Sequence, residues 1–134
     1  MPKKLSKHGT GELTVTKKQR GKLKMLFGGR CAYCGCELPE KGWHADHVEP
    51  VLRGPDFIAN NDTTENLVPA CAPCNLFKKT YSIEDFRHEI KRQADRARLY
   101  SVNFRTAERF GMIELVDKPV VFWFEQYQQE ANSE

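Results

Sequence analysis

Cys31-Ala-Tyr-Cys34 and Cys71-Ala-Pro-Cys74 bracket the stretch Trp43-His44-Ala45-Asp46-His47-Val48-Glu49-Pro50, and Asn75 directly follows the last of these cysteines. Two C-x-x-C units on one chain have the spacing of a closed tetrahedral zinc site, each knuckle presenting two sulfurs at Zn–S distances of about 2.3 Å. A shell filled by Cys31, Cys34, Cys71 and Cys74 leaves no position for water or substrate, so the expected Zn2+ is structural. A thioredoxin-like redox pair is excluded, because neither unit sits at a strand-to-helix junction inside a βαβ pattern. Cys36 is left over, either as a free thiol in the knuckle or as a ligand in exchange with Cys34 or Cys31. Asp46, His47, Asn66 and Asn75 do not belong to the sulfur shell. They read as a second, open site where a hard cation meets a phosphate.

Outward from this stretch, Thr16 is placed to cap a helix running to about Phe27, with Gly28-Gly29 ending it. Trp43 to Val48 reads as a strand stopped by Pro50, and residues 53–64, with Gly54-Pro55 and Asn60-Asn61-Asp62, read as a loop. Asn66-Leu67-Val68 is a short extended piece leading into the second knuckle. Pro73 suits the first turn of a helix that carries Asn75, Lys78 and Lys79 on one face. Ser82 opens a longer helix, and Ile83, Phe86, Ile90, Ala94, Ala97 and Tyr100 repeat at three- and four-residue steps to form its core face. A helical stretch from about Phe104 to Phe110 follows, and Pro119 to Phe124 reads as a buried strand.

A chain of 134 residues is expected to form one small domain with extensions, and 40% apolar residues make a thin core that a zinc staple supplements. No apolar run approaches the roughly 20 residues of a membrane span. The basic N-terminus is followed by no apolar stretch, so it does not read as a secretory signal, and the expected location is the reducing cytoplasm. The net charge of +3 conceals an asymmetry: residues 1–30 hold nine Lys or Arg against Glu12 alone, and acids predominate in the remainder. This reads either as an arm that contacts a polyanion or as a solvated tail.

The stretches around Asp46-His47 and from Asn66 to Lys78 closely resemble the HNH endonucleases, in the subgroup whose ββα-metal motif is braced by a four-cysteine zinc. The resemblance covers roughly residues 22–80. The segment from Phe104 to Glu125 also looks like the C-terminal part of HNH proteins from bacteria and phages. The resemblance implies an α+β fold: a small zinc-stabilised ββα-metal core with an N-terminal helix and a C-terminal helical extension plus strand. The expected division is a basic arm at 1–15, a nuclease core at 16–81 and a helix-rich extension at 82–134.

Carried over residue by residue, the resemblance implies that His47 is the general base. An ordinary imidazole, with a pKa of about 6.5, keeps a neutral fraction at neutral pH. Asp46 and Asn75 would hold a catalytic divalent cation, and Asn66 would orient the histidine and fix its loop. Asn75 stands where the family often has histidine; its hard oxygen favours Mg2+ or Mn2+. Lys78, Lys79 and His44 are candidate substrate contacts, with exposed helix charges as the alternative for the lysines and packing as the alternative for His44. The implied activity is metal-dependent hydrolysis of DNA phosphodiesters by a monomer or weak homodimer that does not enter membranes. A zinc-stabilised nucleic-acid-binding module without catalysis is the alternative.

Overall fold

In the computed structural model, residues 15–50 and 64–132 are described, the last five as backbone only. The basic arm and most of the loop expected at 53–64 lie outside the described residues. The elements run α1 (Lys17–Lys24), β1 (His44–His47), a 3-10 turn (Thr64–Asn66), β2 (Leu67–Ala70), α2 (Ala72–Lys78), α3 (Ile83–Lys91), α4 (Gln93–Tyr100), α5 (Val102–Arg109) and α6 (Trp123–Asn132). The fold is α+β, with a two-stranded antiparallel sheet. One compact unit is formed by the chain up to Ile83 together with the segment from Phe122 onward, and a second by Glu84–Val121.

The first unit begins where the sequence supplies a cap. Thr16 Oγ1 accepts the Gln19 N–H at 3.1 Å and the Thr16 N–H donates back to Gln19 Oε1 at 2.9 Å, a reciprocal capping box. The chain leaves α1 through Gly28 and Gly29, both at positive φ, a region glycine enters without steric cost. The first knuckle closes with Cys31 N–H on the Cys36 carbonyl at 2.8 Å and Gly35 N–H on the Cys31 carbonyl at 3.0 Å. It is tied to the sheet by Ala32 N–H on the Pro69 carbonyl at 2.8 Å.

β1 pairs with β2 in the register His44 to Ala70, Ala45 to Pro69, Asp46 to Val68 and His47 to Leu67. Every residue of β2 is buried, whereas β1 buries Asp46 and leaves His44 exposed. Arg20 supports the entry to β1: its guanidinium lies 3.9 Å from the Trp43 ring centroid and bonds the Trp43 carbonyl at 2.7 Å. Pro73 sits in the first turn of α2, as its spacing predicts, and Lys79, at φ 51°, ends the helix.

The strand expected at Pro119–Phe124 is absent: a helix begins at Trp123. Glu125 Oε1 accepts the Phe122 N–H at 2.9 Å, capping the helix N-terminus. The next two backbone donors, Trp123 and Phe124, reach the carbonyls of Tyr33 and Ala32 at 3.0 and 2.8 Å. An apolar run thus meets the knuckle with two backbone bonds and then coils. Its rings form the core: Phe122 stacks on Phe124 at 5.9 Å and meets Tyr33 edge-on at 5.6 Å, while Phe27 meets Tyr127 edge-on at 5.8 Å. Trp123 Nε1 donates to the Phe27 carbonyl at 2.9 Å.

In the second unit the single long helix expected from Ser82 to Tyr100 is broken at Arg92. The Gln93 side-chain amide takes the Glu89 carbonyl at 2.7 Å, the acceptor a continuous helix would offer to a backbone donor. Of the predicted core stripe only Phe86 is buried, and Tyr100 is 82% exposed. Ser101 Oγ caps α5 on Phe104 N–H at 3.0 Å. Arg98 grips the Glu108 carboxylate with two donors at 3.0 and 2.6 Å, joining α4 to α5. The chain after α5 is held to α3 by Arg87 on the Val120 carbonyl at 2.6 Å and Lys91 on the Lys118 carbonyl at 2.9 Å.

Candidate active site and metal centre

The two knuckles bring Cys31, Cys34, Cys71 and Cys74 together, with one ligand atom from each lying within 4.8 Å of all the others. Cys34 Sγ and Cys71 Sγ are 3.8 Å apart, matching the edge of about 3.8 Å of a tetrahedron with zinc–sulfur bonds of about 2.3 Å. The backbone that holds the sulfurs is local: Cys71 stands at the N-cap of α2, and Asn75 N–H returns to the Cys71 carbonyl at 3.0 Å.

Protonation shows why the cluster calls for a cation. The Cys31 thiol is lowered to about 4, chiefly by the hydrogen bond it receives from Cys74, and the Cys74 thiol is pushed up by that same bond. Burial raises Cys71. Thiolates this close repel one another, so holding all four ionised needs a positive partner. Zn2+ would supply it, and the four-sulfur donor set of Cys31, Cys34, Cys71 and Cys74 fits that ion. Cys36 lies outside the group of four, and its thiol is pushed up to about 12, first by partial desolvation and then by its bond to Cys34.

Beside this centre, β1 presents Asp46 and His47 on opposite sides of the strand. Asp46 is buried, and its Oδ2 accepts the Tyr33 hydroxyl at 2.6 Å and lies 3.4 Å from Lys78 Nζ. Burial, followed by the Asp46 charge, pushes the Tyr33 phenol well above its ordinary range, so it stays a donor. Lys78 is wholly buried, and its ammonium also donates to the His47 carbonyl at 2.8 Å. A buried lysine is sustained only by such partners.

Asn66 closes the other end of the site. Its backbone carbonyl accepts the Val48 N–H at 2.9 Å, and its side chain takes the Glu49 N–H at 3.0 Å while donating to the Glu49 carbonyl at 2.8 Å. These three bonds hold the chain immediately after His47. Asn75 is half-buried on α2, three residues before Lys78 and therefore on the helix face that meets β1. His44 and Lys79 are both exposed.

The structure therefore gathers Asp46, His47, Asn66 and Lys78 around the end of β1. One expectation is corrected: Lys78 was read as a phosphate contact or an exposed helix charge, but it is enclosed, with its charge on Asp46. A lysine at the last turn of a short helix gives no local sign of burial, because the enclosing partners come from β1 and the first knuckle. The role of Tyr33 has no local signal in the sequence, because no spacing rule marks a hydroxyl that reaches a strand thirteen residues away.

The two-stranded sheet, the following helix and the four-cysteine cluster form a small ββα core with the Asp-His pair on its first strand. Residues 31–80, well under half of the chain, match the family described as HNH endonuclease. No curated protein and no solved structure matches the chain. Among the described residues no helix is long and apolar enough to cross a membrane.

Proposed function

We propose that the chain is a metal-dependent DNA endonuclease in which His47 acts as the general base, Asp46 and Asn75 hold a divalent cation, and Asn66 positions the histidine. The observation that carries this reading is the end of β1, where Asp46 and His47 are consecutive residues and Asn66 fixes the chain that follows them. A purely structural zinc ribbon has no need of that arrangement. The Asp46 carboxylate and the Asn75 amide are hard oxygen donors, the chemistry that Mg2+ or Mn2+ prefers. Such a cation, when bound, would neutralise charge building on the phosphate and on the leaving 3′ oxygen.

The residues of the chain supply the rest. His47 takes a proton from water as the water oxygen attacks phosphorus, and the bond to the 3′ oxygen breaks. The buried Tyr33 and Lys78 keep Asp46 in one orientation. The basic residues of positions 1–30 are suited to non-specific contact with the DNA backbone. One base and one cation serve one phosphodiester, so each encounter cuts one strand.

A non-catalytic nucleic-acid-binding module has one observation in its favour, that Asp46 Oδ2 already has two protein partners. Supercoiled plasmid separates the readings. Purified zinc-loaded protein with Mg2+ or Mn2+ is expected to convert it to the relaxed form, and chelator to stop the conversion. Intact supercoiled plasmid with either metal would leave only the binding module.

A further inference from the structure

We propose that Lys78 is a resident counter-ion of Asp46 that keeps the catalytic cation loosely held until a DNA phosphate joins it. The inference rests on the nuclease reading above and adds how the site is loaded. Lys78 Nζ lies 3.4 Å from Asp46 Oδ2, is anchored by the His47 carbonyl at 2.8 Å, and belongs to a side chain with no exposed surface. It is not a surface lysine passing close to an acid. The Tyr33 hydroxyl, 2.6 Å from the same oxygen, completes the enclosure.

The charges follow directly. Asp46 contributes one negative charge, Lys78 one positive charge and Asn75 none, so Lys78 cancels the carboxylate charge before any cation arrives. A divalent cation then gains little from the protein alone, and ammonium and cation repel across a partly buried site where screening by salt is weak. The scissile phosphate adds a negative charge that Lys78 does not cancel. Cation and substrate are thereby bound cooperatively, each improving the affinity of the other by the same factor. Lys78 is a positioning residue in this scheme and acts through Asp46.

The test is Mn2+ binding to the zinc-loaded full chain, followed by the loss of the free-ion electron paramagnetic resonance signal, without DNA. In Lys78→Gln the amide can still donate to the His47 carbonyl but the charge is gone, and Mn2+ should bind at least about tenfold more tightly than to wild type. Lys78→Arg, which keeps the charge, should bind as weakly as wild type. Asp46→Asn added to Lys78→Gln should abolish the gain. A short duplex should tighten Mn2+ binding in wild type more than in Lys78→Gln. Equal or weaker Mn2+ affinity in Lys78→Gln overturns the inference, as does an Arg variant that binds as tightly as the Gln variant. Where Lys78→Gln does not fold alone, recovery of its circular dichroism on adding Mn2+ supports the inference, and no recovery overturns it. The nuclease reading fails separately, when wild type leaves plasmid intact whatever its Mn2+ affinity.

Discussion

Serine in place of Cys34 should remove zinc from the chain, whereas serine in place of Cys36, two residues further along the same knuckle, should leave it bound. Both thiols are exposed, so solvent access does not separate them. Geometry does: Cys34 Sγ lies 3.8 Å from Cys71 Sγ within a group of four that excludes Cys36. Structural zinc contributes about 10–16 kcal/mol in small peptides at neutral pH, as much as the whole net stability of a typical domain. The first unit buries few large apolar side chains, chiefly Phe27, Leu38, Trp43, Leu67, Val68 and Phe122. At about 1.5–3 kcal/mol each, their burial does not replace the metal once chain entropy is opposed. A loss of even about 4 kcal/mol lowers Tm by roughly 16–32 °C in a unit of this size. The assay is zinc content by plasma mass spectrometry after dialysis, paired with thermal circular dichroism. Cys34→Ser should lose both zinc and the wild-type transition, and Cys36→Ser should keep both, with a stability change of about 0.5 kcal/mol or less. A Cys34→Ser protein with one zinc per chain and an unchanged Tm would refute the four-sulfur centre. So would loss of zinc from Cys36→Ser.

Tyr33→Phe removes a buried hydrogen bond to a carboxylate, a loss of about 1.5–3 kcal/mol, to be read as a lowered urea midpoint of the zinc-loaded protein; an unchanged midpoint would contradict the Tyr33–Asp46 bond. Asn66→Ala deletes both side-chain bonds to Glu49 and should cost about 1–3 kcal/mol while slowing plasmid cleavage. Asn66→Asp, which keeps the acceptor for the Glu49 N–H but loses the donor to its carbonyl, should fall between the two, and wild-type stability and rate in both variants would count against the clamp. Arg20→Ala loses a stacked cation and a hydrogen bond at Trp43, so Tm should fall by an amount equivalent to about 1–2 kcal/mol with zinc content unchanged.

What could be read in the sequence was what local chemistry dictates. The paired cysteines, the Thr16 cap, the strand ending near Pro50 and Pro73 in the first turn of α2 each act within a few residues, and the structure contains each of them. What escaped depends on contacts between distant segments. At the break the Glu89 carbonyl accepts both the Gln93 side-chain amide and the Arg92 N–H, a local arrangement that leaves the apolar periodicity intact. The apolar run before Glu125 has strand composition, but only two of its backbone donors find partners in the knuckle, and Glu125 caps a helix instead. Lys78 has the composition of a surface residue and is buried because Tyr33, Asp46 and the His47 carbonyl surround it. The position of the Asp-His pair near the end of a strand was legible, but the protein groups that hold Asp46 were not.

The most direct measurement is the single-turnover rate of plasmid nicking by His47→Ala beside wild type, with both proteins matched for zinc content and Tm. With the proposed general base removed, the rate should fall by about 10²–10⁴ while DNA binding and zinc content stay as they were. A His47→Ala protein that nicks as fast as wild type would show that the imidazole at the end of β1 does not activate the water.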